Sequence, residues 1–178
     1  MEELRDAPGQ VIVFTGNGKG KTSAALGVAI RALGHGLRVY FTFFMKGDFP
    51  YGEQQSLAHL SNMSLGRFGF VEFCDPNNVK PEEKEEAQRA LQAAQQAMHS
   101  SSYDVVVLDE VNVAASWGLV TVNQVVETIR SKPEAVDLIL TGRYADEKVL
   151  ALADTVTEMV EVKHPLRSGV LSKKGIDY

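Results

Sequence analysis

Glycines that bare the backbone, a lysine and a hydroxyl fall together in residues 11–23, VIVFTGNGKGKTS. Gly16, Gly18 and Gly20 permit a turn without side chains, in which backbone N–H groups converge on an anion. Lys21 adds a point charge and Thr22 a hydroxyl suited to Mg2+. A helix starting there points its positive end at the same spot. This is the chemistry of holding a nucleotide triphosphate. A second candidate group, Asp109-Glu110, ends the apolar run YDVVVLD at 103–109. An acidic residue closing such a strand is the Walker B arrangement, in which a carboxylate reaches Mg2+ directly or through water. The plainer alternative is a glycine-rich turn with no ligand. Strand, glycines, Gly-Lys-Thr and helix in one context favour the phosphate loop.

The loop departs from the usual spacing. The standard pattern has four residues between its first glycine and Gly-Lys-Ser/Thr. Here only Asn17, Gly18 and Lys19 separate Gly16 from Gly20-Lys21-Thr22, and the standard spacing would fall on Thr15. Either Thr15 replaces that glycine or the loop is one residue tighter. The candidate nucleotide contacts are therefore Thr15, Gly16, Asn17, Gly18, Lys19, Gly20, Lys21, Thr22 and Ser23.

The elements that must position these groups follow from periodicity. Residues 1–9 read as a short arm ending at Pro8-Gly9. Residues 10–15 carry Val11-Ile12-Val13-Phe14, a continuous apolar run typical of a strand buried in a parallel sheet. A helix over 21–33 puts Ala25, Leu26, Ala29, Ile30 and Leu33 on one buried stripe and stops at Gly34-His35-Gly36. Residues 37–44 (LRVYFTFF) form the next strand, so strand, helix and strand make a right-handed parallel βαβ unit. Lys46, in the loop after that strand, faces the ligand edge and is a candidate phosphate contact, or else a surface lysine.

A short helix over 53–62 precedes a weak strand over 65–73 (LGRFGFVEF). Its aromatics Phe68, Phe70 and Phe73 read first as core packing, while Gly66 and Gly69 leave a close ligand approach as the other reading. The clearest helix covers 81–101, with proline and acidic residues at its start and a stripe of Ala87, Ala90, Leu91, Ala94, Ala97 and Met98. After the strand at 103–109, residues 111–117 lead to a helix over 121–131. The strand 137–141 (DLILT) then places Thr141, Gly142 and Arg143 on the ligand edge. A short helix over 144–153 and an edge strand over 155–162 complete the pattern. The tail at 163–178 carries Lys163, Arg167, Lys173 and Lys174 as a basic partner for phosphates.

The bulk properties narrow the field. At 178 residues, 44% hydrophobic and 23% charged, the chain suits one domain, 1–178, with a sizeable core. A net charge of −5 disfavours wholesale binding to a nucleic acid backbone. The single cysteine, Cys74, excludes an intramolecular disulfide and fits a reducing cytoplasm. It reads as a small, semi-buried hydrophobe rather than a reactive thiol. The start, MEELRDAPGQ, reads as neither signal peptide nor membrane segment, and no run approaches the ~18 apolar residues a membrane helix needs.

Three separated stretches, TGNGKGKTSAALGVAIRALGHG, VVVLDE and ADTVTEMVEVKHPLRSGVLSKKGIDY, together resemble the ATP:corrinoid adenosyltransferases, the P-loop type of cob(I)yrinic acid a,c-diamide adenosyltransferase. The segments FMKGDFPYGE and LTGR fit as well, and the resemblance runs over 10–178. The tight GNGKGKT is the family's own form of the loop. Its occurrence with a terminal Gly-Ile-Asp-Tyr is more specific than a P-loop alone. The fold implied is α/β, a P-loop NTPase (RecA-like) three-layer fold with a mostly parallel central sheet of about six strands.

What the resemblance implies is an unusual use of the loop. A corrinoid carrying Co(I) attacks the 5′ carbon of ATP, the adenosyl group moves to cobalt, and triphosphate leaves whole. The family holds ATP in the reverse sense, which agrees with an altered loop. On this reading the substrates are ATP and a reduced corrinoid, with Mg2+ or Mn2+ as cofactor. Lys21 and Glu110 are the catalytic candidates. Lys46 and Arg143 join the nucleotide contacts, and Thr22, Glu110 and Asp109 form the metal set. Gly69 and Phe70 match a segment that touches the corrinoid, where the family's second aromatic falls on Glu72. With residues 1–9 alone ahead of the first strand, a covering lid is expected to be short or absent. The expected partners are a second copy as homodimer and, as a candidate, a flavoprotein reductant, with neither nucleic acid nor membrane. Two alternatives stay open: a phosphoryl-transferring ATPase or small-molecule kinase, and a corrinoid- or nucleotide-binding module without turnover.

Overall fold

The structure, a computed structural model, describes residues 7–178. Most of the expected arm at 1–9 lies outside the described residues. Six strands form one sheet: β1 (Val11–Thr15), β2 (Val39–Phe43), β3 (Met63–Arg67), β4 (Val105–Asp109), β5 (Asp137–Thr141) and β6 (Thr155–Glu158). Their order is β3-β2-β4-β5-β1-β6, and every paired strand is parallel. The helices are α1 (Lys21–Gly34), α2 (Gly52–Leu57), α3 (Pro81–His99), α4 (Val111–Ser116), α5 (Val122–Arg130) and α6 (Glu147–Leu150).

Alternation along the strands makes the sheet the middle of three layers. Val106 and Leu108 of β4 and Leu138 and Leu140 of β5 join one core with Ala90, Leu91 and Ala94 of α3 and Val125 and Ile129 of α5. Val105, Val107 and Ile139 face the other way, with Phe41 and Phe43 of β2 and Ala25 and Ala29 of α1. The central β4, VVVLD, is buried along its whole length, which is why its sequence is apolar on both faces.

β1, α1 and β2 form the expected parallel crossover within one sheet, with β5 and β4 lying between the two strands. Two expectations need correction. The buried face of α1 is Lys21, Ala25, Ala29 and Ala32, and Ile30 is 55% exposed. Alanines let that helix approach the bulky Phe14, Phe41 and Phe43 beneath it, and Ile30 falls outside the narrow stripe. The strand expected at 65–73 lies instead at Met63–Arg67, paired with β2 from Val39↔Met63 to Phe43↔Arg67. β2 ends at Phe43, so the chain has no ladder partner beyond Arg67. Phe70 and Phe73 consequently leave the sheet and are exposed rather than core; only Phe68 packs against it. Gly69 turns with φ +110, and a Cβ there would lie 2.7 Å from Met45 Cα, so its glycine serves a close approach of two backbones.

Among the described residues no helix is long and apolar enough to cross a membrane.

Candidate active site

The carboxyl ends of β1, β2, β4 and β5 converge on one edge of the sheet, the edge where open α/β folds hold their ligands. At the end of β1, Thr15 is buried, its carbonyl accepts from Met159 N at 2.8 Å and its Oγ1 accepts from Ala145 N at 3.4 Å. Thr15 therefore completes the strand instead of replacing a loop glycine. The turn begins at Gly16, whose φ is +93 and whose Cβ would lie 2.5 Å from Met159 O. Gly18 N donates to the same carbonyl at 2.6 Å. The loop is thus the tighter form, pinned to the chain that follows β6. Gly20 enters α1 in a left-handed conformation, and no side chain caps the helix. The first-turn N–H groups of Lys21, Thr22 and Ser23 have no helical partner, and the helix dipole adds to their pull on an anion.

Lys21 is 7% exposed, and its Nζ donates to Gly18 O at 2.6 Å. Burial lowers its pKa, opposed by Glu110 and reinforced by Arg143. An ammonium held in this way gains from an incoming polyanion.

Lys46 joins the site more closely than a surface lysine would. Its Nζ donates to Asp109 Oδ2 at 2.6 Å and to Thr22 Oγ1 at 3.4 Å. Asp109 is fully buried and the Lys46 side chain is 13% exposed. Burial alone would lower the Lys46 pKa; the carboxylates of Asp109 and Glu110 outweigh it and hold the pKa above its ordinary value. Gln54 Nε2 fixes the Lys46 carbonyl at 3.1 Å, and Lys46 N donates to Phe68 O at 3.0 Å. The other Asp109 oxygen, Oδ1, accepts from Thr141 Oγ1 at 2.7 Å, and that hydroxyl accepts from Glu110 N at 2.9 Å.

Both Asp109 oxygens are thus engaged, while among the described residues no hydrogen bond or ion pair holds the Glu110 carboxylate. Burial and the adjacent Asp109 raise the Glu110 pKa against the pull of Lys46, Lys21 and Arg143. Mg2+ usually takes one or two protein oxygens and fills its octahedron with phosphate oxygens and water. Thr22 and Glu110 carry oxygens of that kind at the cavity wall, and the Lys46 ammonium lies between Thr22 and Asp109. No group of three or more His, Cys, Asp or Glu among the described residues could hold a metal without the phosphates.

Three non-glycine residues at these strand ends adopt the left-handed region: Met45 (φ 57), Glu110 (φ 66) and Tyr144 (φ 62). Each adjoins or is a site candidate, beside Lys46, at Glu110 itself and beside Arg143. Such conformations persist only where the surroundings enforce them, and they cluster at functional sites.

These groups border one cavity of about 780 Å3. It brings together Gly18, Lys19, Gly20, Lys21, Thr22, Ser23, Lys46, Glu110 and Arg143; Thr15, Gly16, Asn17 and Asp109 do not line it. Gly69 and Phe70 border a smaller pocket next door with Glu72, Glu83 and Glu86, and Met45 and Cys74 touch both spaces. Glu72 reaches toward Lys80 at 3.9 Å, and its side chain is 86% exposed. Tyr51, Trp117, His164 and Tyr178 also line the main cavity, and sequence reasoning had not singled them out. Of the tail, His164, Ser172, Gly175, Ile176, Asp177 and Tyr178 line the cavity; Lys163, Arg167, Lys173 and Lys174 do not. This reverses the expected sign of the tail's contribution.

The family model described as ATP:corrinoid adenosyltransferase BtuR/CobO/CobP matches residues 7–178. This chain belongs to the ATP:corrinoid adenosyltransferase family. The corrinoid adenosyltransferase of Escherichia coli K12 is 38% identical over 179 residues, covering 100% of this chain and 90% of that protein. The corrinoid adenosyltransferase CobA of Salmonella typhimurium LT2 is 35% identical over 179 residues, with the same coverage of 100% and 90%. That of Pseudomonas aeruginosa PAO1 is 33% identical over 178 residues, covering 100% and 88%. The P-loop α/β fold expected from the resemblance agrees with the all-parallel sheet described above.

In this adenosyltransferase the thiol that touches both pockets is not activated. Burial, with Glu83 beside it, pushes the Cys74 thiol up to about 11. Alkylation by iodoacetamide should therefore keep accelerating from pH 8 to pH 10, where a free thiol of pKa about 8.5 has nearly levelled off. A rate that plateaus below pH 9 would show an ordinary or activated thiol.

Proposed function

We propose that the chain transfers the 5′-deoxyadenosyl group of ATP to the Co(I) of a reduced corrinoid (cobalamin, cobinamide or cobyrinic acid a,c-diamide) and releases inorganic triphosphate, in adenosylcobalamin biosynthesis or salvage. The family match across 7–178 carries this reading. The cationic cavity around a tight phosphate loop supports it.

Cobalt is the nucleophile and needs no general base. As the cobalt–carbon bond forms, the C5′–O bond breaks and its electron pair leaves with the triphosphate. The protein's task is to hold that leaving group and meet its growing charge with donors already in place. Lys21 and the first-turn amides of α1 take this role, with Lys19, Lys46 and Arg143 as further cations at the cavity wall. Bound Mg2+ or Mn2+, held by Thr22 and Glu110 with Asp109 behind them, would add positive charge to the phosphates. Asp109 serves that set indirectly, by fixing Lys46 and, through Thr141, the backbone of Glu110. Gly69 and Phe70 are assigned to the corrinoid side. A homodimer in the cytoplasm, fed electrons by a flavoprotein, completes the proposal.

Product identity tests the reading. Inorganic triphosphate in step with adenosylated corrinoid supports it, and ADP with phosphate would indicate phosphoryl transfer instead. Glu110→Gln should raise the Mg2+ concentration needed for half-maximal rate about tenfold or more, as expected when a metal contact is weakened. An unchanged Mg2+ requirement would remove Glu110 from the metal set.

A further inference from the structure

Residues 173–178, of which Gly175, Ile176, Asp177 and Tyr178 line the cavity, form a small self-contained turn. Asp177 Oδ2 accepts from Lys173 N at 2.7 Å, Asp177 N donates to Lys173 O at 2.8 Å, and Gly175 N donates to Tyr178 O at 2.8 Å. The turn docks at two points. Asp177 Oδ1 forms an ion pair with Lys19 of the loop. The Tyr178 ring meets Phe49 edge-on at 5.4 Å, and Phe49 stands 4.7 Å from Tyr51, whose ring lies 5.4 Å from the Lys46 ammonium. One end of the turn is therefore ionic, against the phosphate loop, and the other aromatic, against the loop that carries Lys46.

We infer that this turn is a latch on the phosphate loop: Asp177 holds the Lys19 ammonium, competes with a polyphosphate for it, and is displaced when the polyphosphate binds. The inference rests on the reading of the loop as a triphosphate holder. Three observations support it. The carboxylate is preorganised by Lys173 N, so it meets Lys19 as a built contact. The Lys19 side chain is 48% exposed, so the ion pair is screened by water and easily exchanged. The cavity admits both the carboxylate and the loop's cations, and a carboxylate left beside a polyphosphate in that space is repelled by like charge. Run backwards, the exchange recaptures Lys19 as triphosphate departs. That suits a reaction whose leaving group is a whole triphosphate.

The test measures binding of inorganic triphosphate to the full chain by calorimetry, without corrinoid. Asp177→Asn should bind triphosphate about twofold to fivefold more tightly than the wild type, since an exposed ion pair of this kind is worth about that factor. The difference should shrink at high salt. Lys19→Ala should bind more weakly, and adding Asp177→Asn to it should bring a smaller gain than in the wild type, since only the like-charge repulsion is then relieved. Hydrogen exchange gives the second readout: saturating triphosphate should speed exchange of the Gly175 and Asp177 amides. Equal or weaker binding by Asp177→Asn, or slowing of those amides by triphosphate, would overturn the latch while leaving the loop reading intact. No triphosphate binding by the wild type would sink the loop reading and the latch with it.

Discussion

Replacing Lys21 with alanine lowers kcat by a factor of about 10^2–10^3 or more, the scale seen when one preorganised donor to a developing negative charge is lost. The fold should survive. Lys21 makes one hydrogen bond, to Gly18 O, and its burial lowers its pKa, so the charged form is held against desolvation. Removing it takes away a buried charge and leaves only the Gly18 carbonyl, at the cavity wall, without its donor. Steady-state kinetics with ATP and a reduced corrinoid, beside thermal unfolding, separate the two effects. The rate should collapse with little change in melting temperature. Full activity in this variant would mean that the loop has been misread. Because the leaving group gains charge only as the C5′–O bond breaks, kcat should fall more than KM rises.

Lys46→Met should have the opposite profile, with its main cost in stability. It leaves the fully buried Asp109 without its cation, although Thr141 still donates to the other oxygen. Breaking a buried ion pair by removing one partner costs about 3–5 kcal/mol. The lower end, about 3 kcal/mol, is expected here because Lys46 borders the cavity and water can reach the vacated oxygen. For a chain of this size that is a fall of roughly 6–12 °C in melting temperature. Pairing it with Asp109→Asn should recover part of the loss, since the stranded charge is then gone. A melting temperature unchanged by Lys46→Met alone would show that the pair is not a structural one.

The parts of this structure legible in the sequence are those fixed locally. β4 and β5 are short apolar runs ending in Asp109 and Thr141, and α3 carries an unbroken stripe from Ala87 to Met98, so their positions follow from period and punctuation alone. The phosphate loop was legible for the same reason: glycines, Lys21 and Thr22 are adjacent in the chain. What was not legible depends on partners far away. The limits of β3 are set by the length of β2, and no property of residues 65–73 records where Phe43 stops. α4 has six residues, too few for a helical period to separate from a buried connection. Gln54 gave no signal at all, because its task is to hold the Lys46 carbonyl across a loop. Asp177 lay inside a recognised terminal motif, yet the four basic residues around it suggested the wrong sign for the tail. The tightness of the loop was visible as a missing residue, but its cause, the docking of Gly16 and Gly18 on Met159, required the position of β6 beside β1.

The central claim is that the triphosphate is a leaving group, released whole as a cobalt–carbon bond forms. The direct measurement mixes protein, ATP, Mg2+ and chemically reduced corrinoid in the dark, follows the visible spectrum, and then illuminates the product. The account predicts a new spectrum that light reverses, with one inorganic triphosphate released for each adenosyl group transferred. No spectral change with cobalamin, cobinamide and cobyrinic acid a,c-diamide, or ADP in place of triphosphate, would contradict it.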